Sequence, residues 1–275
     1  MTEFIGFVKL KGGSGATTHV INFAKYQQKQ GKNTLIIDTD YSTISATRRF
    51  FTNKELSDKI KPENEATSLF ENNSNPTPLQ VDERIWLIAG NMNLSNEEDR
   101  VKQGMGRRYL FFWAMKHMAE IQEKYDYVVF DPHNDNSMIT QNVLLVADKL
   151  VIVADVDNDA MDLIPEVMKN INVIEKIEIN PMTMESLVNA KIFVLGNKVK
   201  HVGRSHVQFK KDFEDLMKQH PDLFIGFVPD REMIHLTKID NLTIFDLENQ
   251  AKYQDASHRK FIKQVETIYQ KICEA

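Results

Sequence analysis

Lys11-Gly12-Gly13-Ser14-Gly15-Ala16-Thr17-Thr18 decides how this chain is read. The apolar run Phe4–Leu10 precedes it and reads as a buried strand. The amphipathic run Thr17–Gln30 follows and reads as a helix. Between a strand and a helix, a glycine loop turns its backbone N–H groups inward and cradles a phosphate. The glycines let the backbone approach the anion, and the helix N-terminus adds partial positive charge. Gly12, Gly13, Ser14, Gly15, Ala16, Thr17 and Thr18 are therefore the candidate nucleotide contacts. A Ser or Thr just after the lysine position of such loops holds Mg²⁺, and Thr17 stands there. The lysine position itself is occupied by Ala16.

The strand and helix alternate again along the rest of the chain. Strand candidates are Thr34–Asp38, Ile85–Ala89, Tyr127–Asp131, Lys149–Asp155, Lys191–Asn197 and Phe224–Val228. Several are apolar on successive residues, as expected for parallel strands covered on both faces. Helix candidates are Gly106–Lys124, Asn136–Ala147, Ala160–Lys176, His206–Gln219 and Ser257–Cys273. The alternation predicts a doubly wound α/β fold, a mostly parallel sheet with helices on both faces. The 275 residues read as one domain, 1–275. Residues 51–80 are polar, with Asn72, Asn73, Asn75, Pro76 and Pro78 close together, and read as a variable surface excursion.

Composition narrows the function classes. The net charge of −5 excludes a polycation, so nucleic-acid contact needs a local basic patch. Cys273 is the single cysteine, which excludes an internal disulfide and a thiolate-only metal cage within one chain. The chain enters a strand directly, with no basic segment and long apolar run of a signal peptide, and carries no apolar stretch of bilayer length. A cytoplasmic protein, with nucleoid association possible, is the expectation.

Three elements join the loop. The run Leu35-Ile36-Ile37-Asp38-Thr39-Asp40 places two carboxylates at a strand end, over the crevice where such sheets bind ligand. One of them can hold a metal's water shell and the other can position a water. The bland alternative is a pair of solvated strand-end aspartates. Val128-Val129-Phe130-Asp131 ends a strand in the acid that commonly backs Mg²⁺, against the plain reading of a turn cap. Asn197 ends another strand, where its amide could read an adenine edge, and Pro229 opens a loop that could pack on the base.

With these residues in place the chain resembles the ParA/MinD family of deviant Walker A P-loop ATPases. Lys11-Gly12-Gly13-x-Gly15-x-Thr17-Thr18 is similar to the family's loop, and Asp38-Thr39-Asp40 to its Asp-x-Asp segment. The runs from Trp86 to Leu94, from Tyr125 to Asp131 and from Ala147 to Val153 are similar to later strands of the family. The resemblance covers nearly the whole chain and is weakest over 51–80. Within the family it is to the short plasmid-partition type, with StbB-like and conjugation-linked proteins as near variants. It implies ATP or ADP with Mg²⁺ held in a sandwich homodimer. It implies catalytic roles for Lys11, reaching the partner's phosphates, and for Asp40, orienting the hydrolytic water. It implies Thr17, Asp38 and Asp131 around the metal, and a ParB-like or other adaptor that stimulates hydrolysis. The chain departs from the family at Tyr41-Ser42 and Pro132-His133, which bears on the hydrolytic geometry.

Losing one charge-assisted contact at Ala16 costs about 1.5–3 kcal/mol, or roughly ten- to a hundredfold in affinity. The expectation is weakened ATP binding and little hydrolysis with the fold intact. Ala16 is either an engineered substitution, which the otherwise intact loop favours, or a native feature of a nucleotide sensor or scaffold. Two basic stretches, Lys198, Lys200, His201, Arg204, His206, Lys210 and Lys211, then Arg259, Lys260 and Lys263, are candidate contacts for nonspecific DNA. Each alone reads more readily as a solvated helix face. The last helix ends Ile272-Cys273-Glu274-Ala275 without a basic, bulky apolar tip, which argues against MinD-like membrane recruitment. A small-molecule kinase or ligase on the same fold is the remaining alternative, and no second base-and-cation cluster points to it.

Overall fold

A computed structural model describes residues 1–71, 74–156, 160–200, 202–239 and 241–274. Asn72, Asn73 and His201 of the sequence reading lie outside the described residues. Eight strands form one sheet: β1 Glu3–Lys9, β2 Thr34–Thr39, β3 Leu79–Asp82, β4 Ile85–Ile88, β5 Tyr127–Pro132, β6 Lys149–Asp155, β7 Lys191–Val199 and β8 Phe224–Pro229. Their spatial order is β3-β4-β2-β5-β1-β6-β7-β8. All neighbouring pairs are parallel except β3 with β4, which is antiparallel. Glycine-loop β1 is central, between β5 and β6.

The strands repeat every second residue, and the two faces bury two different sets. On one face Ile5, Phe7, Ile36, Val129 and Val151 join α1 (Ala16–Lys29) and the C-terminal helix. On the other, Phe4, Leu35, Ile37, Val128 and Phe130 meet α5 (Tyr109–Lys124) and α6 (Met138–Val146), and further along Leu150, Ile152 and Val194 meet α7 (Ala160–Ile177) and α8 (Arg204–Gln219). The other helices are α2 Thr47–Phe50, α3 Asn53–Lys59, α4 Glu98–Gln103, α9 Glu232–Ile239, α10 Ile244–Glu248 and α11 Ala256–Glu274. The architecture is a mostly parallel sheet with helices on both faces, the P-loop nucleotide-hydrolase arrangement.

The 51–80 excursion is more ordered than a plain surface loop. It contains α3, started by a Thr52–Glu55 capping box, and opens β3 at Leu79. Asn64 ties it to the sheet, because Ala89 N–H donates to Asn64 O at 2.9 Å and Ala66 N–H to Ala89 O at 2.8 Å. No helix among the described residues is long and apolar enough to cross a membrane.

Candidate functional site

The loop between β1 and α1 is held open by backbone geometry and by side chains from other strands. Gly13 and Gly15 have φ of 82° and 96°, a left-handed region that side chains with a Cβ rarely enter. Gly15 is also the residue before α1, and a Cβ there would strike the Asn197 amide. Asn197 is buried at the β7 end and donates its Nδ2 to Ser14 O at 2.7 Å. Asn134, just beyond β5, sets its amide nitrogen 2.7 Å from Lys9 O and 3.1 Å from Leu10 O, while its oxygen accepts Gly12 N–H at 3.1 Å. Lys198 Nζ donates to Gly13 O. The loop is therefore clamped from β5 on one side and β7 on the other.

Around this loop lies a cavity of about 550 Å³. Loop residues 12–18 line it together with Lys9, Asp40, Arg48, Arg49 and His133. Thr17 Oγ1 donates to Asp131 Oδ2 at 2.8 Å, so the loop threonine and the β5 acid meet as the motif spacing expects. Asp40 is the most heavily engaged carboxylate. It accepts from Lys9 Nζ at 2.6 Å and Thr43 Oγ1 at 2.9 Å, and faces His133 Nδ1 at 2.9 Å. Tyr41 packs on the His133 ring with centroids 4.7 Å apart, and its hydroxyl donates to Asp135. Tyr41 and His133, the departures from the family pattern, thus form one brace beside Asp40.

Charge in the site follows from burial and neighbours. Burial tends to raise Asp40, but the Lys9 ammonium together with hydrogen bonds from Lys9, His133 and Thr43 holds the carboxyl below its ordinary value. Asp131 is fully buried and pushed up by burial, with Lys9 opposing. Asp38 is also pushed up, by burial and then by the Asp131 charge. Burial would lower Lys9, but the Asp131 and Asp40 charges override it and keep the ammonium protonated. Lys9 Nζ lies 3.1 Å from Asp131 Oδ1 without hydrogen-bond geometry, which leaves that buried oxygen with an ion pair and no donor.

Five residues sit differently from their sequence assignments. Asp38 does not line the cavity. Its Oδ2 accepts Thr47 N–H and Oγ1–H, both at 2.8 Å, and Thr47 Oγ1 in turn accepts Gly90 N–H at 2.7 Å. Asp38 therefore anchors the start of α2 to the sheet. Asn197 faces the underside of the loop rather than a base, because its amide is spent on Ser14 O. Lys198 is drawn to the loop by Gly13 O, and Asp155 at 4.0 Å adds attraction, so it is not part of a free basic face. Lys11 is paired with Asp155 at 3.3 Å within its own chain. Pro229 ends β8 and does not line the cavity.

The remaining candidate DNA cations are split. Lys200 pairs with Asp230 at 3.6 Å, and Lys210 with Glu214 at 3.6 Å. Arg204 and Lys211 on α8 are exposed, as are Arg259, Lys260 and Lys263 on α11. α8 and α11 pack on opposite faces of the sheet, so the two stretches do not share one helical face.

The donor set suits Mg²⁺ by chemistry. Thr17 and Asp131 are hard oxygen donors, and Asp131 Oδ1 lacks a hydrogen-bond donor. Among the described residues no three His, Cys, Asp or Glu side chains converge as a metal cage.

Residues 2–184 match the family described as AAA domain, AAA_31. The chromosome-partitioning ATPase Soj of Treponema pallidum is 25% identical over 153 residues, 55% of this chain and 56% of that protein, so the chain spans about half the length of this curated relative. A plasmid partition protein from Borrelia burgdorferi superposes with a TM-score of 0.71 at 21% identity, over 99% of this chain and 98% of the other. Cobyrinic acid a,c-diamide synthase from Mycobacterium smegmatis, solved with ADP and magnesium, gives 0.68 at 17% identity over 84% and 87% of the two chains. At these identities the structural likeness is one of fold. The chain resembles the ParA/MinD superfamily of P-loop ATPases, which includes plasmid-partition members.

Proposed function

The chain belongs to the AAA_31 family of AAA domains, and from that premise we propose that it is a partition or positioning ATPase of the ParA type. ATP would lie in the cavity with its phosphates on the loop N–H groups and the positive end of α1. Thr17 and Asp131 would hold Mg²⁺, which when bound neutralises charge on the phosphates. Asp40, aimed by Lys9, Thr43 and His133, would orient the attacking water. The observation that carries this reading is the convergence of a clamped glycine loop, Thr17–Asp131 and Asp40 on one cavity.

The same reading extends to the assembly. ATP would lie between two copies, with Lys11 exchanging Asp155 for the partner's phosphates. The dimer would bind DNA without sequence preference through exposed Arg204, Lys211, Arg259, Lys260 and Lys263, and a ParB-like adaptor would discharge it. Ala16 makes hydrolysis slow, which also fits a second reading: a scaffold that binds nucleotide and turns it over little.

Light scattering with and without ATP·Mg²⁺ tests the switch, with one chain expected to become two. Titration of nonspecific duplex at rising salt tests the DNA surface, and affinity that ignores salt refutes it. Absence of ATP binding at millimolar nucleotide refutes the site itself.

A further inference from the structure

We propose that Lys9 supplies the phosphate-gripping ammonium that position 16 lacks, so the cation of this site has moved from the helix start to the strand end. The inference rests on the cavity being a nucleotide site. Lys9 and Ala16 line the same cavity. Lys9 occurs in β1 at the parity of Ile5 and Phe7, which pack under α1, and Ala16 opens α1 within that same apolar cluster. The missing charge and the present one therefore approach the loop from the same side of the sheet.

The Lys9 side chain is 8% exposed, and its ammonium bridges Asp40 Oδ2 at 2.6 Å and Asp131 Oδ1 at 3.1 Å. A buried lysine at the end of a strand that is apolar from Phe4 to Val8 is costly to desolvate. The two carboxylates offset that cost and hold the charge at the cavity wall. A lysine is a flexible stem with three rotatable donors, so an arriving polyphosphate can compete for them. The carboxylates keep the ammonium in place beforehand, and little rearrangement is then needed when phosphate binds. The rival role is that of a counter-ion to Asp40 and Asp131 that never touches phosphate.

Displacement of a fluorescent ATP analogue by ATP and by AMP, on the full chain, separates the two. Four proteins are compared: wild type, Lys9→Met, Ala16→Lys and the double variant. A grip on the terminal phosphates predicts that Lys9→Met loses roughly ten- to a hundredfold in ATP affinity while AMP affinity stays within about threefold. Ala16→Lys alone gains less than about threefold, and in the Lys9→Met background it restores most of the loss. Unchanged ATP affinity in Lys9→Met, or equal losses for ATP and AMP, overturns the proposal. So does a gain of about tenfold or more from Ala16→Lys alone. If Lys9→Met fails to fold, Ala16→Lys alone decides. A wild type that binds no ATP removes the nucleotide reading and this inference together, whereas ATP binding with an indifferent Lys9 leaves the nucleotide reading standing.

Discussion

His19 should make this protein lose stability on mild acidification. The residue lies in α1, one turn beyond the loop, fully buried, with Nδ1 2.9 Å from the Tyr269 hydroxyl of α11. Burial lowers its pKa from 6.5 to about 4, opposed in part by the neighbouring Asn197 side chain. The unfolded chain has no such burial and takes up the proton first as pH falls. The contribution is therefore complete above about pH 6.5 and is lost as pH falls toward about 4. At about 1.4 kcal/mol per pH unit, the loss is about 2 kcal/mol at about pH 5 and approaches ~3 kcal/mol near pH 4. The buried acids Asp38 and Asp131 have raised pKa values and change stability in the opposite sense, so wild type alone is a poor probe. The measurement is urea unfolding of wild type and His19→Gln at about pH 7.5 and pH 5, where the common carboxylate contributions cancel in the difference. The advantage of wild type over the variant should shrink by about 2 kcal/mol on acidification. A gap constant to within ~0.5 kcal/mol would refute the argument that His19 is held neutral by burial.

Gly15→Ala should lower the melting temperature and abolish ATP-analogue binding, because the Cβ meets the Asn197 amide at a left-handed φ of 96°; unchanged binding in a titration would contradict the loop geometry. Thr47→Val should cost about 2–4 kcal/mol in urea unfolding, since a buried Asp38 oxygen loses a donor and Gly90 N–H loses its acceptor. Thr17→Ala should weaken ATP-analogue binding with Mg²⁺ present and have less effect in EDTA, a contrast read by equilibrium titration. Asn134→Ala should reduce analogue affinity about tenfold or more by freeing Gly12 N–H and two loop carbonyls, with calorimetry as the check.

The central strands themselves were legible because parallel strands covered on both faces read as continuous apolar runs, and Thr34–Asp38 or Lys191–Asn197 could hardly be anything else. β3 escapes that logic. It is four residues long, half exposed and antiparallel, and begins inside the stretch taken for a surface excursion. α9 and α10, of eight and five residues, are too short to show a helical period. In the site, motif spacing located Thr17, Asp40 and Asp131 but said nothing of side-chain direction. Asn197 and Lys198 are consecutive at a strand end, and both turn to the loop, one to Ser14 O and one to Gly13 O. Asn134 carries no motif at all. Lys9 did leave a signal: a lone cation in an apolar run, two residues before the loop and seven before the alanine where a cation is missing.

The sheet described above ends abruptly on both flanks. β3 is four residues with a register break between Gln80 and Asp82, and β8 breaks register against β7 twice and stops at Pro229. Neither margin offers a long straight row of unsatisfied amides on which a neighbouring molecule could zip. Copies of this chain crowded together in solution are thereby steered away from fibre-like stacking, and whatever company the molecule keeps must be recognised through its side chains.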